Sequence, residues 1–334
     1  MRIALASLLL IGLAVSCNRE GGSAQTVVLY TSVDEPVARQ IADDFQRQTG
    51  IRVELVPDAE SNKSVGLAHK LVAEKDRPQA DVFWANEVFN TINIADEGVF
   101  APYESPSAQD IPDLFKDPQH RWTGVALRAR VIALSPKVPP GGNLPPIKGI
   151  DDLTNPVWKD HVAVSNPNAG TAGGWVSALY VLWGPQKADL YFRALHDNGV
   201  KLLGGNSVVA QQVAEETLWI GMTDNDDVAD AREHIGPLDL VLPDQNSFGT
   251  LTIPCTVSLV TGAPHADAAK KLIDYLLSRQ TEQRLIDLHF AGYSVRPGGA
   301  SSIRPMNGDY QKVAREMPHA IRAATENMEG RDSR

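Results

Sequence analysis

The sequence predicts a two-lobed α/β fold, in which each lobe is a mixed, mostly parallel sheet flanked by helices and two crossing strands join the lobes. Three observations predict it. Apolar strands alternate with amphipathic helices over residues 26–84, the signature of a parallel sheet covered on both faces. The alternation resumes at residue 162, after a proline-punctuated stretch. Two extended apolar runs, near residues 122–132 and 249–260, lie between the alternating blocks, so the chain passes from one lobe to the other and returns. Two such crossings make a hinge, and a hinged cleft suits capture of a ligand by closure. The expected lobes are residues 26–121 with 253–300, and residues 122–252; residues 301–334 form a C-terminal helical segment.

Residues 26–31 read as a buried strand. Asp34 as N-cap and Pro36 in the first turn start a helix over 35–49. Its apolar face is Val37, Ile41 and Phe45, spaced by four, and Gly50 ends it. A strand over 51–56, a helix over 63–75 and a strand over 80–84 follow. Ligands meet such sheets at the carboxyl ends of the strands, here residues 31–34 and 85–87. Pro106, Pro112 and Pro118 interrupt the next stretch, and residues 136–146 form a rigid surface loop. The second lobe then runs as a strand over 162–164, a glycine-rich turn, helices over 172–183 and 186–198, a short strand near Val200, a helix over 208–216 and a strand over 218–222. Helices over 266–277 and from Thr281 complete the order.

The N-terminus carries an address. Arg2 precedes a short apolar run over residues 3–15, closed by Ala14-Val15-Ser16-Cys17. That pattern is a secretory signal over 1–17 ending in a lipobox, with cleavage before Cys17 and acylation of its sulfur. The run is too short to span a bilayer comfortably. Residues 18–25 form a polar tether, which places a lipid-anchored body in the periplasm or at the cell surface. A length of 334 residues suits two domains. Against 31 Lys and Arg stand 41 Asp and Glu, a net charge of −10, which argues against a nucleic-acid partner. Once Cys17 is acylated, Cys255 is the single thiol left, so no disulfide framework exists. Cys255 lies in a strand-like run and reads as packing. A monomer is expected.

Two segments could do chemistry. Asp224-Asn225-Asp226-Asp227 is the densest acidic cluster and follows an apolar strand, which puts it at that strand's carboxyl end, facing the cleft. Asp224 or Asp226 could instead cap a helix beginning near Val228. One cap needs one carboxylate, and adjacent uncompensated charges repel, so the cluster faces either water or a cation. Residues 166–174 lead into a helix whose first N–H groups could hold an anion, or Thr171 is simply the cap of a turn. The segment lacks the Gly-Lys-Ser/Thr of a P-loop. Gly-x-Ser-x-Gly and His-Glu-x-x-His are both missing, and the eight histidines are scattered. The sequence therefore does not read as an enzyme, and no cofactor is expected.

Val27-Val28-Leu29-Tyr30-Thr31-Ser32-Val33-Asp34, Ala80-Asp81-Val82-Phe83-Trp84, Asn206-Ser207-Val208 and residues 268–277 resemble, in order and spacing, the ferric-iron-binding branch of the family 1 extracellular solute-binding proteins, which feed ABC importers. The resemblance covers about residues 26–300 and implies a class II-like periplasmic-binding-protein fold that docks on the permease's transmembrane subunits. That branch holds iron with a histidine, a glutamate and two consecutive tyrosines. Those positions fall here on Asp34, on Asn86 with Glu87 beside it, and on Asp226 and Asp227. The branch's anion-binding turn matches Asn168, Gly170 and Thr171, and its supporting asparagines match Asn206 and Asn225; Ser32 joins the set after the first strand.

The replacements are oxygen donors, which suit Ca²⁺, Mg²⁺, Mn²⁺ or iron, with Asp34, Glu87, Asp226 and Asp227 as the metal ligands. A small organic cation is the alternative, with Trp84 offering its face and Asp226 and Asp227 pairing with an ammonium; Trp84 could equally be core. A phosphonate or sulfonate fits badly, because Arg128 and Arg130 on the crossing strand are the only cations near these segments. The expected function is a lipid-anchored substrate-binding component of an ABC importer that captures a small cation, iron or another hard metal before an organic one. A secreted metal-dependent hydrolase is the more distant alternative.

Overall fold

The computed structural model describes residues 25–58, 66–136, 146–168, 171–298, 303–306 and 308–331. The signal, Cys17 with its expected lipid, Gly170, the first residues of the helix expected over 63–75 and most of the loop expected over 136–146 lie outside the described residues.

The first half opens with β1 (Thr26–Thr31), α1 (Glu35–Thr49), β2 (Arg52–Pro57), α2 (Gly66–Ala73), β3 (Val82–Ala85), α3 (Val88–Asp96) and β4 (Phe100–Ala101). Helix α1 forms where the spacing of apolar residues requires it: Ile41 and Phe45 are buried, with Ala38 and Ala42 beside them, while Val37 lies at the margin. Gly50 ends it in the left-handed region at φ 74°, where a side chain would be strained, and its N–H bonds the Gln46 carbonyl. Asp34 occupies the N-cap position without a side-chain cap bond.

The chain then enters β5 (Thr123–Leu134), β6 (Val162–Ser165), α4 (Ala172–Trp183), α5 (Pro185–Asp197), β7 (Lys201–Leu203), α6 (Asn206–Ala214), β8 (Ile220–Asp224), α7 (Asn225–His234) and β9 (Asp239–Val241). It returns through β10 (Thr252–Val260) to α8 (Ala266–Leu276), α9 (Arg279–Asp287) and α10 (Tyr310–Met328). The helix expected near Val228 begins three residues earlier, at Asn225, directly after β8. Asp226 and Asp227 therefore sit in its first turn.

The strands follow the order β2-β1-β3-β10-β5-β8-β6-β7, with β4 beside β10 and β9 beside β5. Pairs among β1, β2 and β3 are parallel, as are those of β6 with β7 and β8. The two long strands run antiparallel to their neighbours. Strand β5 changes partner along its length: Thr123–Ala129 face β10, and Arg130–Leu134 face β8. One strand is thus shared by two halves of the sheet, and Arg128 and Arg130 flank the point of exchange. Helix α10 lies against α4 and α5 of the second half and also against α3 of the first. Among the described residues no helix is long and apolar enough to cross a membrane.

Candidate functional site

Where β8 ends, the backbone turns at once into α7, and Asp224 is left fully buried at the junction. A buried carboxylate is tolerated only when paired. The pairing comes from β5, whose Arg128 and Arg130 project from one face of the strand two residues apart. Arg130 Nη1 donates to Asp224 Oδ1 at 2.8 Å, and Arg128 Nη2 lies 3.0 Å from Asp224 Oδ2. Asn206 Nδ2 donates to the same Oδ2 at 3.0 Å, and the Thr171 hydroxyl donates there too. Arg130 Nη1 also donates to Asn206 Oδ1 at 2.8 Å, which in turn accepts from Ser165 Oγ at 2.5 Å.

Asp226 receives Arg128 side-on. Nη2 reaches its Oδ2 at 2.6 Å, and Nε reaches its Oδ1 at 3.1 Å. Arg128 is 5% exposed, and its guanidinium carbon lies 5.6 Å from the centroid of the Phe290 ring. Asn225 turns the other way, accepting the Ala129 N–H at 2.6 Å, which ties α7 back onto β5. One carboxylate oxygen from each of Asp224, Asp226 and Asp227 lies within 4.8 Å of the others, a spacing that could hold a metal ion.

The titration behaviour follows from this geometry. Burial pushes Asp224 up, but Arg130 and Arg128 outweigh it and hold the carboxyl below its ordinary range. For Asp226, burial wins over Arg128, and the neighbouring Asp224 charge adds to it, raising it to about 6. Burial works against the charge on Arg128, yet Asp226, Asp224 and Asp227 hold it firmly protonated.

The expected residues separate into distinct places. Thr171, Asn206, Asn225, Asp226 and Asp227 gather around Asp224 and the two arginines. Ser32 and Asn86 pair with each other, Oγ to Oδ1 at 3.0 Å, with the Asn86 N–H returned to Ser32 Oγ at 3.1 Å. Ser32, Asp34, Asp226 and Asp227 line a cleft of about 790 Å³, to which Asp58, Ser207, His289 and Phe290 also contribute.

Three expectations need correction. Trp84 is wholly buried in β3 and is not part of the cleft wall, because its strand is covered on both faces; it offers no ring to a ligand. Glu87 is 1% exposed and caps α3, accepting Phe89 N–H at 2.6 Å and Asn90 N–H at 3.1 Å, so its carboxylate is engaged as a cap rather than lining the cleft, although the charge of Arg128 still reaches it. Burial lifts its carboxyl to about 7, against the pull of those N–H groups. Asn168 is exposed and bonds Asn166, away from the cleft wall. The arginines were the missing half of the site. Their signal was two cations with i, i+2 spacing inside an otherwise apolar strand, a position that demands buried acids opposite. Cys255 packs behind Asn86, its Sγ 3.7 Å from that carbonyl, and burial pushes the thiol up to about 12.

Comparison with known proteins adds an independent line. A family model described as bacterial extracellular solute-binding protein matches residues 26–291. The Fe(3+)-binding periplasmic protein of Serratia marcescens is 25% identical over 282 residues, covering 83% of this chain and 81% of that one. A putative 2-aminoethylphosphonate-binding periplasmic protein of Salmonella typhimurium is 24% identical, covering 80% and 76%. The structure of a ferric binding protein from Campylobacter jejuni superposes with a TM-score of 0.80 at 19% identity, over 90% of this chain and 99% of that one. The fold is that of the periplasmic binding proteins, and these relatives are binding proteins rather than enzymes.

Proposed function

Because the chain belongs to the bacterial extracellular solute-binding proteins, we propose that it captures a small cation in the cleft and delivers it to the transmembrane subunits of an ABC importer. A hard metal cation, iron included, is the favoured cargo. In this reading the lobes, residues 26–121 with 253–300 and residues 122–252, close on the cargo, and a lipid on Cys17 keeps the body at the membrane. Asp34 comes from one side of the cleft, and Asp226 and Asp227 come from the other.

One observation carries the reading. The cleft wall presents the carboxylates of Asp34, Glu35, Asp58, Asp226, Asp227, Asp230 and Glu233, and among the described residues lining it there is no lysine or arginine. Such a wall raises the local concentration of cations and repels anions. The carboxylates, with no thiolate beside them, suit hard ions, and His289 is the one imidazole on the described wall. The relative from Serratia marcescens, named for Fe(3+), supports the metal reading.

An aminoalkyl solute is the second reading, supported by the cleft's volume. About 790 Å³ is far more than a bare ion needs and falls in the range of small-molecule sites. The Salmonella typhimurium relative is named for 2-aminoethylphosphonate, a solute with an ammonium group. Thermal unfolding of the protein against metal ions, amines and anions separates the readings. A ligand at a hundred times its Kd adds about 2.7 kcal/mol of stability. Stabilisation by metal ions that chelation reverses supports the first reading, stabilisation by amines supports the second, and stabilisation by anions alone overturns both.

A further inference from the structure

The acidic group at the head of α7 has the spacing of a metal seat, but a side chain already sits in it. We propose that Arg128 is the specificity-determining residue of the site: its guanidinium is a resident cation that keeps Asp224 and Asp226 from closing around a bare metal ion. This inference rests on the cation reading of the cleft and deepens it, because it sets how a cargo can be held.

The geometry of Arg128 is that of an occupant. Its Nη2 bridges the two carboxylates, 3.0 Å from Asp224 and 2.6 Å from Asp226, and Nε closes a second bond to Asp226 at 3.1 Å. A planar fork meeting a carboxylate side-on is among the strongest pairings available to these groups. The guanidinium lies over Phe290 and is almost wholly buried, so leaving would strand it among apolar groups and carboxylates alike. Its backbone is fixed in β5 opposite Ile253 of β10, which leaves little freedom to swing away. Arg130 supports the arrangement from Asp224's other oxygen, at 2.8 Å.

Two consequences follow. A metal ion reaching α7 meets Asp227 and an Asp226 whose two oxygens are both already engaged by Arg128, not an enclosed three-carboxylate cage, so capture is weak enough to reverse on delivery. The fixed guanidinium also repels an ion beside it in proportion to the ion's charge, which offsets part of the pull of the acidic wall.

The test replaces the occupant. Terbium(III), a hard oxygen-seeking ion with luminescence of its own, is titrated into the parent protein, Arg128→Gln and Arg128→Lys. The expected result is at least a tenfold gain in terbium affinity for Arg128→Gln, with Arg128→Lys within about threefold of the parent because it keeps the charge. An Arg128→Gln protein that is folded by circular dichroism and binds terbium no better than the parent overturns the inference. If Arg128→Gln does not fold without metal, the titrations of parent and variant are repeated in a stabilising osmolyte such as sucrose. Affinity above the parent then supports the inference, and affinity at or below it overturns it. A parent that binds no cation at all defeats the proposed function alone, because the comparison among variants is read from its own titrations.

Discussion

Phe89 of α3 occupies the space that a Cβ on Gly174 of α4 would fill. The two helices follow strands in opposite halves of the order, α3 after β3 and α4 after β6, and they touch here through a ring laid on bare backbone. Tyr310 of α10 packs on the same ring, with centroids 6.1 Å apart. Gly174→Ala must push the ring aside. The expected cost is about 1–3 kcal/mol, the range for overfilling a packed core, read as a lower urea midpoint with an unchanged slope. A midpoint equal to the parent's would mean that the contact is loose.

Asp224 is the keystone of the buried charge network, with Arg128, Arg130, Asn206 and Thr171 all converging on it. Asp224→Asn leaves Arg130 without a counter-charge in a fully buried position. Losing one partner of a buried pair costs about 3–5 kcal/mol. Denaturant unfolding checks this, and a loss below about 1 kcal/mol would show that water or Asp226 compensates.

Stability should fall as pH rises through the neutral range. Glu87 ionises at about 7 in the folded chain against an ordinary 4.5. Between those values the native state holds a proton that the unfolded state has already lost, so unfolding becomes easier with every step of pH. The contribution is fully present below pH 4.5 and gone above pH 7, and it amounts to about 3 kcal/mol. Asp226, raised to about 6, adds a slope of the same sign at lower pH. Glu87→Gln, which can still accept the N–H groups of α3, should flatten the curve of urea midpoint against pH between 5 and 7. An unchanged slope would assign it to other groups.

Capture should depend on pH in the opposite sense. A cation needs Asp226 ionised, so metal affinity should drop by up to tenfold per pH unit below about 6. Asp226→Ala with Asp227→Ala should abolish the stabilisation by metal ions, whatever the pH. Isothermal titration at pH 5 and 7 reads both effects, and a double variant that binds like the parent removes these residues from the site.

Trp84→Phe should leave ligand binding within about twofold of the parent. The indole is fully buried and its Nε1–H finds no partner among the described residues, so its role is filling volume, and phenylalanine spares an unsatisfied donor while losing some packing. A marked loss of binding would return Trp84 to the site.

The parts of this molecule that depend on local rules were legible in advance. Residues 35–49 announce a helix through Pro36, the spacing of Ile41 and Phe45, and the stop at Gly50. Strand β3 stands out as an unbroken apolar run because the sheet buries both of its faces, and β1 and β8 as apolar runs that turn polar toward their ends. What stayed hidden depends on chain segments far apart. Glu87 looks like a ligand because it follows a strand end, yet the turn into α3 bends its carboxylate onto Phe89 and Asn90. Arg128 lies 98 residues from Asp226, and no local pattern reports that the two will meet. The mismatch was visible only as a question, namely why a strand destined for the interior should carry two guanidinium groups.

Strand β5 trades β10 for β8 between Ala129 and Arg130, so in the closure proposed above the strand that carries both arginines would lie near the pivot. Groups at a pivot barely travel, whereas the outlying acids of α1 and α7, Glu35 and Glu233, move on long arms. Opening would therefore disengage the rim well before it disturbs the floor. In the proposed cycle the rim would then let go first, and the floor, where Arg128 already occupies Asp224 and Asp226, would hold the ion only loosely enough for it to follow.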